Sequence, residues 1–122
     1  MGKYSCYDQN EDVIFVDASG LVSEIALIDE VFDEVIALAT SLPHKVYLVT
    51  NWKEIKFDNA SIEHYTTRLT GLLEVTRGIV RYGATNTTAR VVVRTASIKH
   101  QMPSNFYPSK EAALEAIREG NI

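Results

Sequence analysis

Only one cysteine, Cys6, occurs in the 122-residue chain. An internal disulfide is therefore excluded, and a reducing cytoplasm is the simplest home. Long apolar runs are missing too: none approaches the roughly 18 residues that span a bilayer, so no membrane span is expected. The start, MGKYSCYDQNED, turns polar at once and lacks the apolar core of a signal peptide. Met1-Gly2 suits a myristoylation start, but Cys6 stands where serine or threonine is wanted. No repeat, low-complexity tract or linker divides the sequence, which predicts a single domain over residues 1–122. A chain of this length buries roughly two-thirds of its unfolded surface around one core.

Sites of familiar chemistry are equally scarce. A metal centre needs three or four converging ligands, yet His44, His64 and His100 fall on separate segments and no HxxxH or CxxC spacing occurs. Cys6 has no histidine near it in sequence, and G-x-S-x-G is absent. Gly78, Gly83 and the TNTT stretch make neither a phosphate loop nor a dinucleotide fingerprint. Catalytic residues, metals and cofactors are accordingly not expected, and neither is enzyme activity. Asn59-Ala60-Ser61 and Asn86-Thr87-Thr88 match the glycosylation pattern, but helix capping accounts for both more simply.

Acid is absent from Val75 to Lys110, a stretch with six basic residues, whereas residues 1 to 34 hold nine acids and one lysine. The net charge of −4 thus hides a dipole. An acidic first third argues against nucleic-acid binding, which favours an overall basic domain. The split suits self-association, a protein partner or an anionic ligand.

What is present is alternation. Lys3–Tyr7 and Val13–Ala18 read as strands around a polar turn at Asp8–Asp12. From Ser23 to Ser41, Ile25, Ile28, Phe32, Val35 and Ala39 recur at helical steps, with Ser23 as N-cap and Pro43 as the stop. Asp29, Glu30, Asp33 and Glu34 lie on the opposite side, as a solvated face usually does. Lys45–Thr50 is a strand running into Asn51-Trp52-Lys53, and a loop then leads to a helix over about 61–77, closed by Gly78. Ile79–Ala84 is a further strand. The run TNTTARVVVRTASIKH could be strand or helix. As a strand it gives no clean alternation. As a helix, Ala89, Val92, Val93, Ala96 and His100 share one side, while Arg90, Arg94, Ser97 and Gln101 share another. Valine costs only a few tenths of a kcal/mol in a helix, which packing overrides. A helix ending before Pro103 is the expectation. Asn105–Tyr107 is a brief strand, and Ser109 caps a last helix, KEAALEAIRE, stopped by Gly120.

The order β-β-α-β-α-β-α-β-α predicts an α/β domain. About five strands form a mostly parallel, mixed sheet, with four helices and an antiparallel edge from the first pair. The helix after VIFVDASG, the strand KVYLVTNW, the pair IVRYGATNTTARVVVRTASI and the ending NFYPSKEAALEAI together resemble the STAS fold of sulphate transporters and anti-sigma-factor antagonists. The likeness is greatest to stand-alone bacterial STAS-like proteins, and it covers nearly the whole chain through element order and local pattern. The resemblance implies a regulatory or protein-interaction module. Phosphorylated antagonists carry Asp-Ser-Ser-Gly where this chain has Asp58-Asn59-Ala60-Ser61. Asn59 takes the place of the modified serine, and Ser61 suits an N-cap better than a phosphorylation site.

Open parallel sheets bind ligands beyond the carboxyl ends of their strands. That points to Asn51, Trp52 and Lys53, and to Thr85, Asn86 and Thr87, which open a helix whose free amides suit an anion. Each has a plainer reading that carries more weight: Trp52 covering the core edge, Asn86 capping. Two functions follow. The preferred one is a non-catalytic interaction module, binding a protein partner or its own copy through Asp29, Glu30, Asp33 and Glu34 or through Arg90 and Arg94. The alternative is a carrier for an anionic or lipid-like small molecule in the strand-end crevice.

Overall fold

A computed structural model describes residues 2–57, 59–84, 87–100 and 105–120. The chain starts with an antiparallel hairpin, β1 (Ser5–Asp8) and β2 (Val13–Asp17). Its turn is closed by Asp8, whose Oδ1 accepts the backbone N–H groups of Asn10 and Glu11 at 2.9 and 3.0 Å. Asp12 completes the turn at φ 55°, a left-handed conformation that aspartate tolerates better than most residues. After β3 (Val22–Ser23) come α1 (Ile25–Ser41), β4 (Tyr47–Asn51), β5 (Lys56–Phe57), α2 (Asn59–Glu74) and β6 (Gly78–Tyr82). The chain finishes with α3 (Thr87–His100), β7 (Phe106–Tyr107) and α4 (Lys110–Glu119).

The main sheet has the order β1-β2-β4-β6-β7, with every pair after the hairpin parallel. The predicted α/β class, five-stranded mixed sheet and four helices are all found. From β2 to β7 each crossover steps one place in the same direction. Right-handed connections then place α1, α2 and α3 together on one face. The packing agrees: Ile14, Val16, Leu48 and Ile79 from the strands meet Phe32, Leu69 and Val93 from those three helices. On the reverse face Val13, Val49 and Val80 pack against Ala113 and Leu114 of α4. Strands buried on both faces read as continuous apolar runs, as VIFV in β2 does. Among the described residues no helix is long and apolar enough to cross a membrane.

The contested valine run is helical, as expected, with Ala89 and Val93 buried and Arg90 and Arg94 exposed. Several local expectations differ from the structure. Ser23 belongs to β3; α1 starts after Glu24, which makes no side-chain cap. Ser61 is not an N-cap either, because α2 begins at Asn59 and places Ser61 inside its first turn. The loop after Lys53 contains β5, which pairs in parallel with β3 as a two-stranded ribbon. This ribbon continues the β2–β4 partnership beyond the sheet through Ala18 N–H to Asn51 O, Gly20 N–H to Lys53 O and Lys56 N–H to Leu21 O. Ser109 does cap α4, accepting the Ala112 N–H at 3.1 Å, and Gly120 ends it at φ 70°.

Candidate functional site

The inner face of the sheet carries a cavity of about 80 Å³ between the carboxyl halves of β2, β4 and β6 and the helices α1 and α2. Strand side chains form its floor: Val16, Leu48 and Ile79, then Thr50 and Arg81. Period two puts these on one face, since Leu48 lies beside Ile79 and Thr50 beside Arg81 in the β4–β6 register. The roof is the apolar stripe of α1, including Ile28, Phe32 and Val35, with Tyr65, Leu69 and Leu72 of α2. Leu21, Ile55 and Phe57, on and beside the β3–β5 ribbon, close the end beyond the strands.

Four aromatic rings stand around that end. Trp52 lies 5.4 Å from Phe57 and 5.9 Å from Tyr65, while Tyr65 is 5.1 Å from Phe57 and 5.7 Å from Phe32. Most of these contacts are edge-to-face, the arrangement that ring quadrupoles favour. Against these rings sits Arg81, only 1% exposed. Its guanidinium carbon is 5.2 Å from the Trp52 ring and 5.9 Å from Phe106, and its Nη2 donates to the Tyr65 hydroxyl at 3.2 Å. Burying a guanidinium is costly unless neighbouring acceptors and ring faces compensate it. The site thus combines an apolar chamber with one cation and two hydroxyl-bearing side chains, Thr50 and Tyr65.

The mouth is defined by exposure. Leu21, Leu27, Val31 and Phe57 are half-buried, whereas Leu48, Ile79 and Arg81 are buried. Access therefore lies between the first turns of α1 and the ribbon.

The expected site residues separate. Trp52, at 3% exposure, lines the cavity and also covers the core edge. Asn51 points elsewhere: it borders an open hollow on the α4 side with Asp17, Tyr82 and Lys110, and its Oδ1 accepts the Lys53 N–H at 3.0 Å. Lys53 is exposed. In that hollow burial, with the Asp17 charge adding to it, pushes the Tyr82 hydroxyl above its usual pKa. Thr85 and Asn86 lie outside the described residues, and Thr87 opens α3.

The acidic residues of α1 are largely engaged within the fold. Asp29 meets His64 at 2.6 Å and Arg68 at 3.6 Å, Asp33 meets Arg68 at 2.5 Å, and Glu30 reaches Lys3 at 3.4 Å. Glu34 accepts hydrogen bonds from the Lys3 and Tyr4 amides and the Ser5 hydroxyl at 2.7, 2.8 and 2.7 Å. Arg90 lies 5.6 Å over the Phe106 ring, and Arg94 is exposed between Val91 and Ile98. Ser61 is 1% exposed, so phosphorylating it would require the first turn of α2 to open. Among the described residues no group of three His, Cys, Asp or Glu converges as metal ligands.

Arg81 is not among the residues expected at the site, and its one signal in the sequence is a charge set inside the apolar strand IVRY. No family model and no curated protein matches the chain.

Proposed function

We propose that this chain is a non-catalytic, STAS-like binding protein whose inner-face cavity takes a small, mainly apolar molecule. The observation that carries the reading is the cavity itself, apolar on nearly every side and with Arg81 and Tyr65 among its lining residues. Pockets for small molecules are typically apolar with a few placed polar groups. The volume of about 80 Å³ is smaller than the roughly 150 Å³ that admits benzene. A ligand would therefore fill the chamber with one end and extend through the mouth. Trp52, the single tryptophan, reports directly on occupancy. A thermal-shift and fluorescence screen against short apolar acids, alcohols and amides tests the proposal. A binder at a hundredfold its Kd adds about 2.7 kcal/mol to stability. A flat response in both readouts across the set would remove the reading.

A second reading, a protein-interaction module, draws on α3. Val91 and Ile98 are 55% and 77% exposed, seven residues apart on the same face, with Arg94 between them. The partner that this face suits is an acidic protein surface with apolar residues. Such a complex weakens with salt, because exposed charges are screened beyond about 10 Å at 0.1 M. Absence of any acidic, salt-sensitive partner in pull-downs counts against it.

A further inference from the structure

We propose that the exposed face of α3 docks on the outer face of α4 in a second copy of this chain, with Arg90 and Arg94 set against Glu111 and Glu115. This deepens the protein-interaction reading above and rests on it. Val91 and Ile98 are two of the three large apolar side chains left exposed among the described residues, and Arg90 and Arg94 are exposed beside them. Arg90 lies 5.6 Å over the Phe106 ring, and neither arginine forms an ion pair among the described residues. No acid occurs anywhere on α3. A face of this kind needs an acidic counterpart, and α1 does not supply one: Asp29, Glu30 and Asp33 are paired with His64, Lys3 and Arg68, and Glu34 holds the start of the chain.

The outer face of α4 supplies it. Glu111 and Glu115 are exposed one turn apart, and neither has an ion-pair partner among the described residues. Both bases of α4 are occupied elsewhere, Lys110 at 4.2 Å over the Phe15 ring and Arg118 on Glu11. Four residues separate the two arginines and four the two glutamates, a step of about 6 Å in either helix, so the rows match in pitch. Half-buried Ala112, beside the glutamates, is small enough to let an apolar side chain of α3 approach. Within one chain the rows cannot meet, because α3 packs on one face of the sheet and α4 on the other. The contact is therefore head-to-tail and repeats from copy to copy. One helix face on each side is small against the roughly 1,200 Å² of a standard interface, so the association is weak and reversible.

Sedimentation equilibrium of the intact chain over a wide concentration range, at about 0.05 and 0.5 M NaCl, tests the contact. The mean mass should rise with concentration past that of a dimer, and the higher salt should weaken the association about fivefold or more. Arg94→Glu and Glu115→Arg, both at exposed positions where the fold tolerates change, should each weaken it about tenfold or more. Mixed in equal amounts, the two variants should pair one to one and go no further, because only the α4 of the first and the α3 of the second remain intact. The wild-type measurement stands even if a variant fails to fold. A wild type that stays monomeric at low salt, self-association unchanged in either variant, or mixed variants that do not pair overturns the contact between α3 and α4. A monomeric chain that captures a different acidic protein through Arg94 overturns this inference and leaves the interaction reading standing. If neither self-association nor capture occurs, that reading falls as well.

Discussion

Glu34 shows how one side chain ties distant segments together. Its carboxylate, on the middle of α1, receives three hydrogen bonds from residues at the start of the chain and so anchors the approach to β1. Burial alone would raise its pKa, but the bonds from Ser5, Tyr4 and Lys3 outweigh that and hold it below the ordinary 4.5. A depressed carboxylate contributes stability that is complete above the unfolded value and is lost as pH falls through the folded one. Glu34→Gln should therefore lower unfolding free energy at pH 7 by about 2 kcal/mol, since bonds to a charged group are each worth roughly 1.5–3 kcal/mol. Urea titrations at pH 7 and pH 3 check this: the difference between wild type and variant should shrink at the lower pH. A difference that stays constant would mean the carboxylate's charge is immaterial. Val35 is a second informative residue, being buried on α1 and facing the cavity. Val35→Ile adds one methyl group and should stabilise by about 0.5–1 kcal/mol, as cavity filling commonly does, while weakening any ligand. Destabilisation instead would mean that the chamber is already tightly packed there.

Among the elements, α4 is the clearest case of local chemistry fixing structure. Ser109 accepts the Ala112 N–H, Glu111 sits in the first turn, Arg118 in the last, and Gly120 adopts the left-handed cap. These terminal charges oppose the helix dipole favourably. Ser109→Ala should cost about 1 kcal/mol, measured as a shift in the urea midpoint at unchanged slope. The α3 helix behaves differently, because Ala89 and Val93 pack inward while its outer face carries Val91 and Ile98 in water. Ile98→Lys should leave stability within about 0.5 kcal/mol, as surface changes do, and should abolish binding only if that face docks a partner. The β3–β5 ribbon is the element that no sequence pattern announces. Two residues per strand are too few to show an alternation of period two. Its existence follows from backbone groups left over where β2 and β4 end side by side. Ser23 and Ser61 show the reverse: serine suits a cap by composition, but pairing in the ribbon and an earlier start of α2 take precedence.

At the scale of the whole molecule, the acidic beginning of the chain and its more basic remainder are partly brought into register. Arg68 of α2 reaches Asp29 and Asp33 of α1, and Arg118 of α4 reaches Glu11 at the hairpin turn. Most of these pairs are exposed, and such pairs contribute ~0–1 kcal/mol each. Raising NaCl from 0.1 to 1 M should thus lower unfolding free energy by no more than about 1 kcal/mol; a larger loss would show that these contacts act as a cooperative network. The sequence by itself determined the order of strands and helices, because the periods of 3.6 and 2 and the Pro and Gly stops are written in neighbouring residues. It also determined the sheet's handed layering, since each parallel crossover has one favoured hand. Only the tertiary structure decided the cavity, whose walls come from three strands, two helices and a ribbon. It likewise decided that Arg81 is enclosed while Arg94 stays in water. In sequence both are arginines next to valine. Burial is a property of what packs over a residue, and the groups against Arg81 are the rings of Trp52 and Phe106 and the hydroxyl of Tyr65, 16 to 29 positions away along the chain.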